Sequence, residues 1–141
     1  MELLTILAAD YANIAEGGKL NVMGVFRNIY AARFPATHPS MALIVKLGAE
    51  LGEYGDERNL TIRLLNADGG ELLRFENPIK IPDGVGGLVP EVNAILAING
   101  IVFPTPGRYE FVVQVDRDHK GSLSIDVSQL EPPGQAAPAQ E

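Results

Sequence analysis

His38 and His119 are the two imidazoles of this 141-residue chain, and it contains no cysteine. Thiolate nucleophiles, thiolate metal sites and disulfides are therefore excluded, and imidazole chemistry has two places to start. His38 stands in Thr37-His38-Pro39-Ser40. A serine close to a histidine in a Pro-bounded loop lacks the orienting acid and the oxyanion hole that a Ser–His nucleophile requires. No G-x-S-x-G elbow occurs either, so His38 reads as a loop histidine. His119 belongs to Asp116-x-Asp118-His119, the most metal-like spacing in the chain. Carboxylates two apart on a loop can share a hard cation such as calcium. Here Arg117 and Lys120 put positive charge beside them and the oxygen count is short, so the segment reads as a solvated hairpin tip. Asn66, Asp68 and Gly69 likewise read as turn chemistry rather than as calcium ligands. The run Pro82-Asp83-Gly84-Val85-Gly86-Gly87-Leu88 is glycine-rich but matches neither phosphate-loop nor dinucleotide-loop spacing. An acid–base pair such as Asp10 with Glu16, or Asp116 with Asp118, would have to converge in a cleft, and nothing in the spacing brings it about. The expectation is a non-enzymatic protein with no catalytic residues, no metal ligands and no cofactor.

Binding is the remaining class, and two segments carry it. Phe26 to Phe34 holds three of the chain's nine aromatics and two arginines. Read as one strand, it places Phe26, Tyr30 and Phe34 on one face and Arg27 and Arg33 on the other. Aromatic residues and arginine are enriched where proteins meet, so these five are the expected partner-binding residues. The alternative is a small-ligand or carbohydrate pocket at the 78–90 loop, lined by Ile79, Ile81, Val85 and Leu88. Apolar residues that break the outward pattern, Ile44, Leu65, Ile95 and Val112, point to self-association, with a further protein partner in a larger assembly also open. The net charge of −7 argues against a nucleic-acid backbone as partner. Residues 17–49 nevertheless carry Lys19, Arg27, Arg33 and Lys46 and no acid; these read as surface ion pairs of little individual worth, with a small patch for an anion or an acidic partner as the alternative. No apolar stretch approaches the ~18 residues of a membrane helix. Met1 to Asp10 has a glutamate where a signal peptide would carry a base, and the protein reads as cytoplasmic.

The elements that must position these residues are strands. Tyr109, Phe111, Val113 and Val115 alternate with polar residues, and Leu123, Ile125 and Val127 repeat the pattern, which marks two strands with one buried face. Leu60, Ile62 and Leu64 do the same before the turn Asn66–Gly70, and Leu43, Val45 and Leu47 do so between Met41 and Glu50. Leu3 to Ala9 fits either a helix face or a strand; a strand through Asp10 is preferred because Gly17-Gly18 then turns the chain into Lys19 to Phe26. Val92 to Phe103 is apolar on both parities and reads as a central strand covered on both sides. Pro78 to Pro90 reads as a long irregular connection. Glycine and proline supply 25 of the 141 residues and punctuate short apolar runs. The expected fold is all-β: an antiparallel Greek-key sandwich, immunoglobulin-like, of about eight strands, with a closed barrel as the alternative. Residues 1–127 form the sandwich domain, and residues 128–141 a disordered tail rich in Pro, Ala and Gln.

The segments LLTILAADYA, GGKLNVMGVF, FPATHPSMALIVKL and PGRYEFVVQVD resemble an uncharacterised family of small bacterial proteins known by a domain-of-unknown-function label. The resemblance covers roughly residues 3–127, and the pairing of ADYA with GKLN is its more specific part. It implies the sandwich and a bacterial cytoplasmic origin. It implies no activity and no site residue. The family's last hairpin closes with a short Asp-Gly type turn; here Arg117 to Gly121 reads as a longer one.

Overall fold

Alternation of apolar and polar residues builds both sheets, and the deepest part of the core is where that alternation is cleanest. A computed structural model describes residues 1–84 and 86–130. They form nine strands and no helix: β1 (Glu2–Ile14), β2 (Leu20–Phe26), β3 (Asn28–Ala31), β4 (Ala36–Gly48), β5 (Glu57–Leu65), β6 (Glu71–Lys80), β7 (Glu91–Phe103), β8 (Gly107–Val115) and β9 (Asp118–Gln129). One sheet has the order β2-β1-β4-β7, the other β3-β9-β8-β5-β6. The chain crosses between them from β2 to β3, β3 to β4, β4 to β5, β6 to β7 and β7 to β8. The fold is an immunoglobulin-like β-sandwich, with two open sheets rather than a closed barrel. All pairs are antiparallel except β3 with β9, which run parallel.

Leu43, Val45 and Leu47 of β4 pack across the interior against Leu60, Ile62 and Leu64 of β5, Phe111 and Val113 of β8, and Ile125 of β9. Each fully buried side chain of this size is worth about 1.5–3 kcal/mol in apolar burial. At the start of β8, the Tyr109 hydroxyl donates to Thr105 O at 2.6 Å while its ring meets Phe103 edge-on at 4.9 Å. This corner satisfies the polar tip of a buried ring and pins the β7–β8 turn, as in other immunoglobulin-like sandwiches.

Several expectations change in the structure. Val92–Phe103 is not a central strand: β7 pairs with β4 alone and lies at a sheet edge. The doubly covered strand is β4, where Met41, Ala42, Leu43, Ile44 and Val45 are all buried. Ile44 is covered from outside by a second cluster with Ala9 and Ala42, joined by Leu7, Ala12, Leu20, Val22 and Ile95. Ala12, Leu20 and Val22 come from the β1–β2 ribbon. β1 pairs with β4 only as far as Ala9, and beyond it pairs only with β2, up to Ile14. This free arm closes over the outer face of its own sheet, and Asn93 Nδ2 of β7 donates to Gly18 O at its tip, at 3.3 Å. Ile44, Leu65, Ile95 and Val112 therefore are not an exposed apolar face: Ile44 and Val112 are buried and the other two half-buried.

Pro35 ends the extended course before β4, at a bend over residues 32–35 with a cis Phe34–Pro35 bond, but Pro39 does not break the chain again. Pro39 lies inside that strand, on the stretch where β4 has only β7 as neighbour and a missing N–H is tolerated. Pro78 lies in β6, an edge strand, for the same reason. The final turn is short: Asp116 and Arg117 alone link β8 to β9, both at positive φ, 50° and 74°, as a two-residue primed turn requires. The length of Arg117–Gly121 is absorbed by a register shift between Val113 and Gln114. Ser128 and Gln129, expected in the tail, continue β9 and pair with Tyr30 and Ala31. Residues 131–141 of the expected tail lie outside the described residues.

Candidate functional site

Where β2 gives way to β3, the chain leaves one sheet and enters the other with a bend at Arg27. The expected single strand Phe26–Phe34 is thus split, and its two-faced reading fails for a geometric reason. Phe26 ends β2 and packs, half-buried, on the main core; Phe34 does likewise before β4. Ile29, of the supposed arginine face, is the buried residue of β3, while Tyr30 points out. Arg27 and Arg33 are exposed. Arg27 is turned toward β9, where its Nε donates to Ser124 O at 3.2 Å. The neighbouring Asp126 carboxyl is held low first by its hydrogen bond from Arg108 and, to a lesser degree, by the Arg27 charge.

The corner leaves an open dish of about 310 Å³, lined by Asp10, Gly24, Val25, Phe26, Asn28, Ile29, Tyr30 and His38. Three elements of different sequence origin build it: β1 supplies Asp10, the β2–β3 corner supplies most of the floor, and β4 supplies His38. Phe26, Val25 and Ile29 are apolar; Asp10, Asn28, Tyr30 and His38 are polar. The His38 ring tilts against Phe26 with centroids 5.8 Å apart, and its Nε2 is closed off from water with no hydrogen-bond partner. His38 is therefore not in a loop but in β4, forming a wall of the dish. Gly24, opposite Asp10 in the β1–β2 ladder, has φ +72°. A side chain there would run into the Asp10 carboxylate, whose Cγ lies 2.9 Å from where a Cβ would stand. Glycine in the middle of a strand thus makes room for a carboxylate at the dish. Among the described residues, Asp10 has no hydrogen-bond or ion-pair partner. Glu16, its suggested acid–base companion, sits in the turn at the far end of the arm, about 20 Å along the strand.

Beside the dish the arm presents an apolar face. Tyr11 and Met23 are cross-strand partners and are 55% and 64% exposed; Val25 and Tyr30, on the dish itself, are 55% and 60% exposed. A second cavity, about 390 Å³, lies on the outer face of the other sheet among Asn59, Thr61, Arg74, Glu76 and Gln114. Its Arg74, Glu76 and Asp116 are already engaged. Arg74 holds Glu76 at 2.6 Å and Glu71 at 3.2 Å, and the Glu71 carboxyl is lowered chiefly by its hydrogen bond from Arg63. Asp116 there accepts from the Asn59 N–H at 2.9 Å, so the expected Asp116–His119 tip uses its first carboxylate to fasten the turn.

Of the other expected binding residues, Ile79 belongs to β6 and packs half-buried on the core; Ile81 is fully buried. Leu88 is 75% exposed, and Val85 lies outside the described residues. The two isoleucines are core because β6 continues to Lys80 and Ile81 N–H is then bonded to Asp56 O at 2.9 Å, which draws the start of the connection under the sheet.

Comparison with known proteins places the chain in a family. The model of a family of unknown function, DUF6941, matches residues 4–128, and the chain belongs to that family. No curated protein matches it. Among solved structures, it is similar to part of a β-glucosidase from Listeria innocua in complex with gluconolactone (8% identity, TM-score 0.49, 73% of this chain and 15% of that one). It is also similar to part of an alkylpurine DNA glycosylase from Pseudomonas fluorescens bound to DNA containing an abasic site analog (12%, 0.49, 87% and 30%). An immunoglobulin-like protein from Pseudomonas aeruginosa is similar over nearly its whole length (16%, 0.44, 87% and 91%). The chain spans less than a third of the first two, and at these identities the likeness is one of fold outline.

Proposed function

For this member of a family of unknown function, we propose a non-enzymatic binding module that associates with copies of itself through the outer face of the β1–β2 arm. The observation that supports it is the contiguous exposure of Tyr11, Met23, Val25 and Tyr30, three of them on paired strands at a sheet edge. Soluble proteins seldom leave such side chains grouped in water without a use for them. β2 also offers the unpaired backbone of an edge strand, which a second β2 can extend across a two-fold axis. Ile44 and Val112 are covered by the chain itself, and the arm supplies the apolar surface instead. Sedimentation velocity at widely separated concentrations tests it. A dimer that Met23→Glu converts to monomer without loss of fold is the expected result; a monomer at every concentration refutes it.

A second reading, small-ligand binding, is favoured by the dish rather than by the 78–90 loop. Its volume is at the lower end for small-molecule sites, and it combines an apolar floor with a few polar groups. Perturbation of the Gly24, Asn28 and Tyr30 amides by a small organic probe tests that reading independently of self-association.

A further inference from the structure

We propose that the dish is a site for an organic cation, a primary ammonium or guanidinium group carried on a short apolar stem. The inference rests on the reading of the dish as a binding site and is independent of self-association. Four observations converge on it. The Asp10 carboxylate is the one full negative charge among the lining residues, and no donor within the described residues occupies it. Space is kept for it: Gly24 has no side chain at the point where the carboxylate lies. Arg27, between the lining residues Phe26 and Asn28, is held on the other side by Ser124 O, and no arginine or lysine lines the dish. Apart from Asn28 and His38, the rest of the lining is aromatic and aliphatic, with Phe26 and Tyr30 beside Val25 and Ile29.

An unpaired carboxylate beside two aromatic rings is the arrangement that recognises ammonium and guanidinium groups. The carboxylate accepts charge-assisted hydrogen bonds, and the ring faces attract positive charge. Val25 and Ile29 then cover the stem. An anion would meet the Asp10 charge with nothing to compensate it, and a neutral alcohol would gain only the apolar contacts. The shared chemistry has two sources, a free amine or a lysine or arginine side chain presented by a polypeptide.

The test is an amide chemical-shift titration of the whole protein with 2-phenylethylammonium, 2-phenylethanol and phenylacetate. The expected result is that the Gly24, Val25, Asn28 and Tyr30 signals respond to the ammonium at concentrations about tenfold below those needed for the alcohol, and least to the carboxylate. Asp10→Asn then removes the preference while the remaining spectrum stays unchanged. Tyr30→Ala, which alters an exposed side chain, weakens the ammonium more than the alcohol. Equal binding of ammonium and alcohol, or a preference that survives Asp10→Asn, overturns the cation assignment and leaves the dish as a binding site. No response there to any of the three overturns both. A short lysine peptide and its norleucine counterpart separate the sources. Tighter binding of the lysine peptide than of the free amine assigns the site to a basic side chain; no gain from the peptide assigns it to a free amine.

Discussion

Gly24→Ala is the sharpest test of how the dish is built. Gly24 sits at φ +72°, and an L-residue in that left-handed region costs about 1–2 kcal/mol. Alanine recovers part of this by narrowing the unfolded ensemble, about 0.4–1 kcal/mol, which leaves a backbone cost of about 1 kcal/mol. The new methyl also lands 2.9 Å from Asp10 Cγ and 3.1 Å from Asp10 Cβ, closer than non-bonded carbons stand. Either the Asp10 side chain swings out or the β1–β2 ladder spreads locally, and crowding of this kind costs about 1–3 kcal/mol. The expected loss is about 2–4 kcal/mol in urea unfolding. In an Asp10→Ala background the carboxylate is gone and most of the crowding with it, so the same substitution should cost only about 1 kcal/mol. The double-mutant cycle should therefore show a coupling of about 1–3 kcal/mol between two residues that are far apart in sequence. If the two losses add to within about 0.5 kcal/mol, the carboxylate does not occupy the space above Gly24, and the geometry of the dish is wrong.

Three further outcomes follow from particular contacts. Arg117, at φ 74° in the two-residue turn, should be improved by Arg117→Gly, raising stability by about 0.5–1 kcal/mol in thermal melts; a lower melting temperature would contradict the turn. Glu53 is subject to burial, which raises its carboxyl, but the Glu50 N–H, the N-terminal ammonium and Arg58 outweigh it and hold the group below its ordinary value. A depressed folded pKa means the contribution is present above the ordinary glutamate range and is lost as pH falls through the folded value. Glu53→Gln should therefore cost about 1 kcal/mol at neutral pH, solvent screening included, and the gap from wild type should close in acid; a gap that widens in acid would reverse the assignment. His38→Phe keeps a ring against Phe26 and removes the orphaned Nε2, so it should stabilise the protein by about 1–2 kcal/mol in urea melts. A loss of stability would mean that Nε2 is satisfied in solution.

Elements whose signal is local were legible in the sequence. The β8–β9 hairpin announces its buried face through Tyr109 to Val115 and Leu123 to Val127, and the Asn66–Gly70 turn carries its own chemistry: Asn66 Oδ1 accepts from the Asp68 and Gly70 N–H groups. What depends on distant neighbours was not. β4 and β7 are both apolar on two parities, and only the arm folding back decides which of them is fully covered. The 116–117 turn was hidden because a tight primed turn usually shows Gly or Asn, and Arg117 is neither. His38 between two prolines looks like loop until β7 pairs with it. The dish was invisible because Asp10, the β2–β3 corner and His38 are separated in sequence and share no spacing. One signal was present: Gly24, a glycine inside a strand pattern, which marks a close approach by another group.

The arm has a consequence for motion. Its outer half is held by pairing within the ribbon, by the packing of Ala12, Leu20 and Val22, and by the Asn93–Gly18 hydrogen bond, while its root is locked into the sheet through Ala9 and Ala42. A unit so attached opens at lower free energy than the sandwich unfolds. Amides of the arm beyond Asp10 should then exchange with deuterium well before those of Met41 to Val45. The dish lies at that root, with Asp10 and Gly24 where the ribbon leaves the sheet. An occupant of the dish that favours the closed arm would slow this exchange at the tip without touching it.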